Sequence, residues 1–243
     1  MHDSTPVLFS WSGGKDSALG LYQLSQSPEW EVVALLTSVA DEFRRISHHG
    51  LREELLDAQA DALGLPLDKL RLPTLGGPCT NAAYEEIVGA KLREHLDQGI
   101  RHVAHGDIFL EDLRAYRERN LARLGMQGLF PLWGRNSREL VEWFIDLGFQ
   151  AVLCCVDGVK LDASFAGRPI DASLLRDLPP DVDPCGENGE YHSFVFDGPI
   201  FQRPVDFTFG SVVCRDGRYY ADLLPVDSPA NATAPAAAFP PVA

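Results

Sequence analysis

Residues 6–22 set an apolar run, Pro6-Val7-Leu8-Phe9, just ahead of Ser12-Gly13-Gly14-Lys15-Asp16-Ser17, and follow it with Ala18-Leu19-Gly20-Leu21-Tyr22. A strand, a glycine turn and a helix start are thus packed together, and that order builds an anion site. Gly13 and Gly14 let the backbone approach a ligand closely and take up positive φ, so that successive N–H groups converge on phosphate oxygens. The helix that follows turns its unpaired N–H groups and positive dipole end to the same spot. Lys15 adds a full positive charge, and Ser12 and Ser17 add hydroxyl donors.

The first 125 residues continue the alternation. Glu31-Val32-Val33-Ala34-Leu35-Leu36-Thr37 reads as a buried strand. Leu51, Leu55, Ala58 and Ala62 fall at helical spacing, closed by Gly64. Strands are predicted at 67–72 and 101–105. Helices are predicted around Tyr84, Val88, Leu92 and Leu96, and around Leu113, Tyr116, Leu121 and Leu124. Regular β-α alternation implies an α/β fold with a parallel sheet wrapped by helices and ligands at the carboxyl ends of its strands. The character shifts near Gly128. A helix carrying Leu140, Val141, Phe144 and Ile145, an apolar strand at 151–156 and proline-rich loops predict a second, smaller α/β domain. The boundaries are 1–128 and 129–225, and the Pro/Ala-rich stretch 226–243 reads as a disordered tail.

Composition narrows the function classes. The chain has 243 residues and a formal net charge of −14, which argues against nucleic acid as a partner. Its richest basic stretch, Arg114, Arg117, Arg119 and Arg123 with Glu118, reads as a solvated helix face laced by salt bridges. No apolar run approaches the ~18 residues of a membrane span, and the N-terminus lacks the regions of a signal peptide. Five cysteines without a C-x-x-C pair fit free thiols in a reducing compartment, so the expected location is cytoplasmic.

The loop has neither the P-loop spacing nor G-x-G-x-x-G. Instead it resembles the PP-loop of the N-type ATP pyrophosphatases, which grips the β- and γ-phosphates while ATP is cut between α and β. An acid beside phosphates, Asp16, then makes sense with a bridging Mg²⁺. A second constellation, Asp183-Pro184-Cys185-Gly186-Glu187-Asn188-Gly189-Glu190-Tyr191-His192, packs acids and glycines into a tight loop where Glu187 and Glu190 can converge on a small cation or amine. Together with Phe9 to Ser17, 46–50, 55–65, Asn81 with Tyr84-Glu85, Gly106-Asp107-Ile108, Pro131-Leu132-Trp133 and 194–201, it resembles the diphthine–ammonia ligase family (the DUF71 ATP-binding group) over residues 6–205.

That resemblance implies a Rossmann-like nucleotide-binding domain, a small second domain, and ATP between them. The implied chemistry is amide formation: ATP adenylates a carboxylate, pyrophosphate leaves, and ammonia displaces AMP. Lys15, Asp16, Glu187 and Glu190 are the catalytic candidates, with Mg²⁺ on Asp16 and the acid pair binding ammonium and taking its proton. Ser12 to Ser17 with Gly106 and Asp107 hold ATP. His49, Asn81, Tyr84, Glu85, Gly186, Asn188 and His192 face the acceptor, which is protein-bound diphthine or a small-molecule carboxylate. A homodimer is compatible with the sequence. The chain departs from the family signature Gly-Glu-Gly-Gly-Glu-Tyr-Glu-Thr at Asn188 and at His192-Ser193, beside the expected ammonia site. Two rival readings are sulfur transfer to tRNA through Cys185 or Cys79, and a non-catalytic nucleotide sensor. His48-His49 and His102-x-x-His105 lack the geometry for one metal ion and read as loop or sheet-end residues.

Overall fold

The computed structural model describes residues 4–46, 49–74 and 79–226, so His48 and the predicted tail beyond Val226 lie outside it. Strand β1 (Thr5–Ser10) enters helix α1 (Lys15–Ser25) through the glycine turn. Next come β2 (Trp30–Ala40), the short β3 (Arg45–Ile46), α2 (Glu53–Leu63), β4 (Leu67–Leu72) and α3 (Asn81–Asp97). The first sheet is completed by β5 (His102–Ala104), α4 (Glu111–Ala122) and β6 (Gln127–Leu129). Its parallel strands stand in the order β4-β2-β1-β5-β6, with β3 antiparallel to the end of β2. This is the Rossmann-like parallel sheet flanked by helices that the alternation implies. Two short strands, β3 and β6, are additions to it.

β1 is apolar throughout because both its faces are covered, the usual reason for a continuous hydrophobic run in a parallel strand. Val7 and Phe9 join a core with Leu19 of α1 and Leu55 and Leu56 of α2. Leu8 points the other way, against Leu92 of α3 and Leu121 of α4. Helix α2 stops at Gly64, whose φ of 71° is the left-handed cap expected there.

The second part comprises α5 (Ser137–Asp146), β7 (Gln150–Asp157), α6 (Ala172–Asp177), β8 (Tyr191–Asp197), β9 (Phe207–Arg215) and β10 (Arg218–Pro225). Its sheet, ordered β8-β7-β10-β9, is antiparallel. The β9–β10 hairpin falls where the sequence reading saw no strands. Its signal is the Asp216-Gly217 turn, whose positive φ values of 48° and 76° suit a two-residue hairpin. The two sheets share one buried apolar cluster, which runs from Phe9 through Phe144 of α5 to Val152 and Phe194. Asp222 of β10 ties the sheets through a largely buried ion pair, accepting from Arg45 at 3.0 Å and Arg52 at 2.8 Å. No described helix is long and apolar enough to cross a membrane.

Glu53 fixes α2 against β4. Its buried carboxylate accepts from Lys69 Nζ at 2.7 Å and Arg71 Nη1 at 2.8 Å. Burial opposes its ionisation, but those hydrogen bonds outweigh it and hold Glu53 at about 2, against an ordinary 4.5. Glu53→Gln is expected to cost about 1–3 kcal/mol in urea denaturation, less than a fully buried pair because Arg71 is partly in solvent. The depressed value also sets the pH window. Glu53 contributes its stability above about 4.5 and loses it as the pH falls towards 2. The variant's acid sensitivity in that window is expected to be flatter.

Candidate active site

The glycine turn is held from behind by the second sheet. Gly13, at φ 79°, offers its carbonyl to the backbone N–H of Val195 at 2.9 Å and to Gln59 Nε2 at 3.0 Å. Gln59 Nε2 also donates to the Val195 carbonyl at 2.6 Å, and its Oε1 accepts from Trp11 Nε1 at 3.0 Å. The Lys15 backbone N–H donates to Ser193 Oγ at 3.0 Å. Gly14 differs from expectation: it is extended, with φ −94° and ψ 173°, as suits the residue capping α1. Ser12 and Ser17 pair their hydroxyls at 2.8 Å across the turn.

Lys15 lines the same polar side of the site and is itself buried. Only 1% exposed, its ammonium donates to both Asp16 oxygens at 2.7 and 2.8 Å and to the Cys185 carbonyl, and lies 5.4 Å from the centre of the Tyr191 ring. Burial works against its charge, yet Asp16 together with Cys185 and Tyr191 outweighs burial and holds its pKa well above the ordinary value. Lys15 thus couples the PP-loop to the 183–192 loop.

Within that second loop the two glutamates do separate jobs. Glu190 accepts from the N–H groups of Asp183 at 3.1 Å and Asn188 at 3.0 Å, and from Asn188 Nδ2 at 3.1 Å, so it staples the loop to itself. Glu187 reaches across to the first sheet and accepts from the Ile108 N–H at 2.9 Å. Burial, then the neighbouring Asp16 charge, push its carboxyl up to about 7. Gly106 brings β5 against the first turn of α1. A Cβ there would come within 2.8 Å of the Asp16 backbone, so only glycine fits.

These segments enclose a polar cavity of about 190 Å³ at the carboxyl ends of β1 and β5. It adjoins a more apolar cavity of about 310 Å³, walled by Leu36, Leu70, Val88, Leu92 and Val103. Ser10, Ser12, His49, His105, Arg117 and His192 line both. The rings of His49 and His192 stand 4.6 Å apart in that shared wall. Over the same span of chain, the family model for the diphthamide synthase N-terminal domain matches residues 5–128, and that for its C-terminal domain matches residues 136–214.

The chain belongs to the diphthamide synthase family. Among its relatives, a diphthine–ammonia ligase of Bos taurus is 27% identical over 234 residues, covering 87% of this chain and 86% of the relative. One of Danio rerio is 29% identical over 217 residues, covering 80% and 83%. One of Schizosaccharomyces pombe is 27% identical over 228 residues, covering 85% of this chain but 37% of that protein.

Against this diphthamide synthase framework the expected residues divide cleanly. Ser12, Gly14, Lys15, Asp16 and Ser17 line the polar cavity, together with His49, Gly106, Asp107, Gly186, Glu187 and His192. Tyr84 lines the apolar cavity. Gly13, Asn81, Glu85, Asn188 and Glu190 are among the lining residues of neither. Asn81 starts α3 at the surface, and Glu85 accepts from Arg123 at 3.2 Å. Asp107 is gripped by Arg117 at 2.7 and 3.3 Å.

Sequence reasoning missed Arg117, His105, Ser193 and Gln59. Arg117 was hidden among arginines read as a solvated face; Arg114, on the same helix, does pair along it with Glu118 at 2.9 Å. Nothing local marks Gln59, a fully buried amide on α2. Among the described residues, no three His, Cys, Asp or Glu side chains gather as a metal site. Gln59→Leu leaves Trp11 Nε1 and the Val195 carbonyl without this buried partner. It is expected to lower stability by about 2–4 kcal/mol in urea denaturation.

Proposed function

We propose that the protein is an ATP-dependent ligase that adenylates a carboxylate, releases pyrophosphate and amidates the acyl adenylate with ammonia. The observation that carries this reading is the joining of a polar and an apolar cavity. Lys15, Asp16 and Glu187 line the polar one, while His49, His105, Arg117 and His192 lie in the wall that both share. Phosphates fit against the PP-loop and the N-terminus of α1. The nucleoside fits the larger, apolar cavity, which puts the α-phosphate and the acceptor carboxylate on the polar side of the shared wall.

The carboxylate oxygen bonds to the α-phosphorus as the α–β bridge breaks and pyrophosphate leaves. Ammonia then bonds to the acyl carbon and AMP departs, the amine losing a proton to Glu187. At about 7, Glu187 is poised both to bind ammonium as a carboxylate and to accept that proton. Asp16, a partly exposed carboxylate beside the phosphate seat, fits the sparse oxygen ligation Mg²⁺ takes when phosphates supply other ligands. Bound there, Mg²⁺ supplies charge neutralisation to the departing pyrophosphate. The relatives' name makes protein-bound diphthine the first acceptor to test, ahead of small-molecule carboxylates. All five cysteines are free, as a cytoplasmic location requires.

Sulfur transfer needs a thiolate. Burial pushes the Cys185 thiol up to about 12, and its Sγ lies 3.2 Å from the Ser137 carbonyl, so the structure favours a packing role.

The reading is tested by ³¹P NMR of ATP, Mg²⁺, ammonium and the protein with candidate acceptors. AMP and pyrophosphate are expected only with the true acceptor; ADP and phosphate would refute cleavage at the α–β bridge. Glu187→Gln is expected to lower ammonium-dependent turnover by about 10²–10⁴-fold. Because the base must be ionised, wild-type turnover is expected to rise as the pH passes through about 7, and the variant to lose that inflection. Cys185→Ser is expected to retain turnover, and its inactivation with ATP binding intact would instead support sulfur chemistry.

A further inference from the structure

His105 follows β5, and the strand's alternation carries it to the same side as Val103, both lining the larger cavity. Its ring stacks on Phe130, with centroids 5.5 Å apart and planes 24° off parallel. The residue is 6% exposed, yet among the described residues neither Nδ1 nor Nε2 has a hydrogen-bond partner. Native structures rarely leave a buried imidazole with both nitrogens unmet, because burial without a partner is destabilising. Its position is specific as well. His105 is one of the six residues lining both cavities, at the seam where a ligand must pass from the polar compartment to the apolar one.

Resting on the ligase reading above, we propose that His105 is a specificity-determining residue that hydrogen-bonds a ribose hydroxyl of the nucleotide and so selects ribonucleotides over the matching deoxyribonucleotide. With phosphates on the PP-loop and the base among Leu36, Leu70 and Val103, the sugar falls at the seam. A neutral imidazole offers a donor at one nitrogen and an acceptor at the other; the two point apart, so a single nitrogen meets a ribose hydroxyl, which can play either role. Burial, then the nearby Arg117 charge, push the imidazole well below its ordinary pKa, so it stays neutral and keeps its acceptor. The neighbouring carboxylate, Asp107, is already engaged by Arg117 at 2.7 Å, which leaves His105 to meet the ribose.

The test is calorimetric titration of the wild type, His105→Phe and His105→Asn with ATP, 2′-deoxyATP, 3′-deoxyATP and inorganic pyrophosphate, each with Mg²⁺. Phenylalanine keeps the stack on Phe130 but loses both nitrogens, while asparagine restores a donor and an acceptor. The expected result is a wild type that binds ATP at least about tenfold tighter than one of the two deoxynucleotides, the size of one lost hydrogen bond at a desolvated site. His105→Phe is expected to bring ATP down to the level of that deoxynucleotide, with pyrophosphate binding unchanged, and His105→Asn to recover part of the preference. A wild type without preference, or a His105→Phe variant that weakens all three nucleotides equally, overturns the assignment. Loss of pyrophosphate binding in His105→Phe overturns it too, since the effect then lies in the PP-loop. Wild-type protein that binds neither ATP nor pyrophosphate overturns the ligase reading itself, and this assignment with it.

Discussion

The carbonyl of Gly13 is the point on which the site is hung. It accepts from the backbone of β8 and from Gln59, and Gln59 in turn holds β8 and Trp11. A glycine-rich turn left to itself has many conformations and loses much entropy on ordering. Here its shape is imposed by a strand of the other sheet, together with Ser193 Oγ on the Lys15 N–H and the Cys185 carbonyl on the Lys15 ammonium. The continuous apolar cluster beneath both sheets makes that attachment rigid.

Charge is apportioned with the same economy. In a chain with an excess of fourteen negative charges, the basic groups near the site are few and each is committed. Lys15 holds Asp16 against the second loop, and Arg117 holds Asp107. Glu187, whose carboxylate takes a single backbone N–H at 2.9 Å, is pushed up to about 7, and burial raises Asp16 as well. Glu190, four hundredths exposed, accepts three hydrogen bonds from its own loop. Two acids three residues apart in one motif therefore have different partners.

The parallel sheet and its helices were legible because their signals are local: the apolar run of β1, the helical spacing that ends at Gly64, the turn between β1 and α1. The PP-loop residues and Glu187 were legible because their types and order carry chemistry. What escaped depends on contacts made far along the chain. Gln59 sits on the helical face that reads simply as core, and only its meeting with Gly13 and Val195 gives its amide a purpose. Arg117 cannot be told from Arg114 by spacing; one turns to Asp107 and the other lies over the rings of Phe130 and Trp133. Lys15 was recognised by type, but its link to the Cys185 carbonyl, 170 residues on, leaves no local mark. The β9–β10 hairpin did have a local mark, Asp216-Gly217, overlooked among proline-rich segments.

The stapling of the PP-loop to β8 also sets an order of events during biosynthesis. The loop is made well before its partners: the hydroxyl that meets the Lys15 N–H comes 178 residues later and the Gln59–Val195 contact spans 136. Domains usually take shape from the N-terminus as they emerge. The parallel sheet can therefore gather first while its most distinctive turn waits, its carbonyl and amide hydrogen-bonded to water. The shape of the seat is completed only when Ser193 and Val195 of β8 have emerged. A truncated product would carry the recognisable motif without the means to hold its shape.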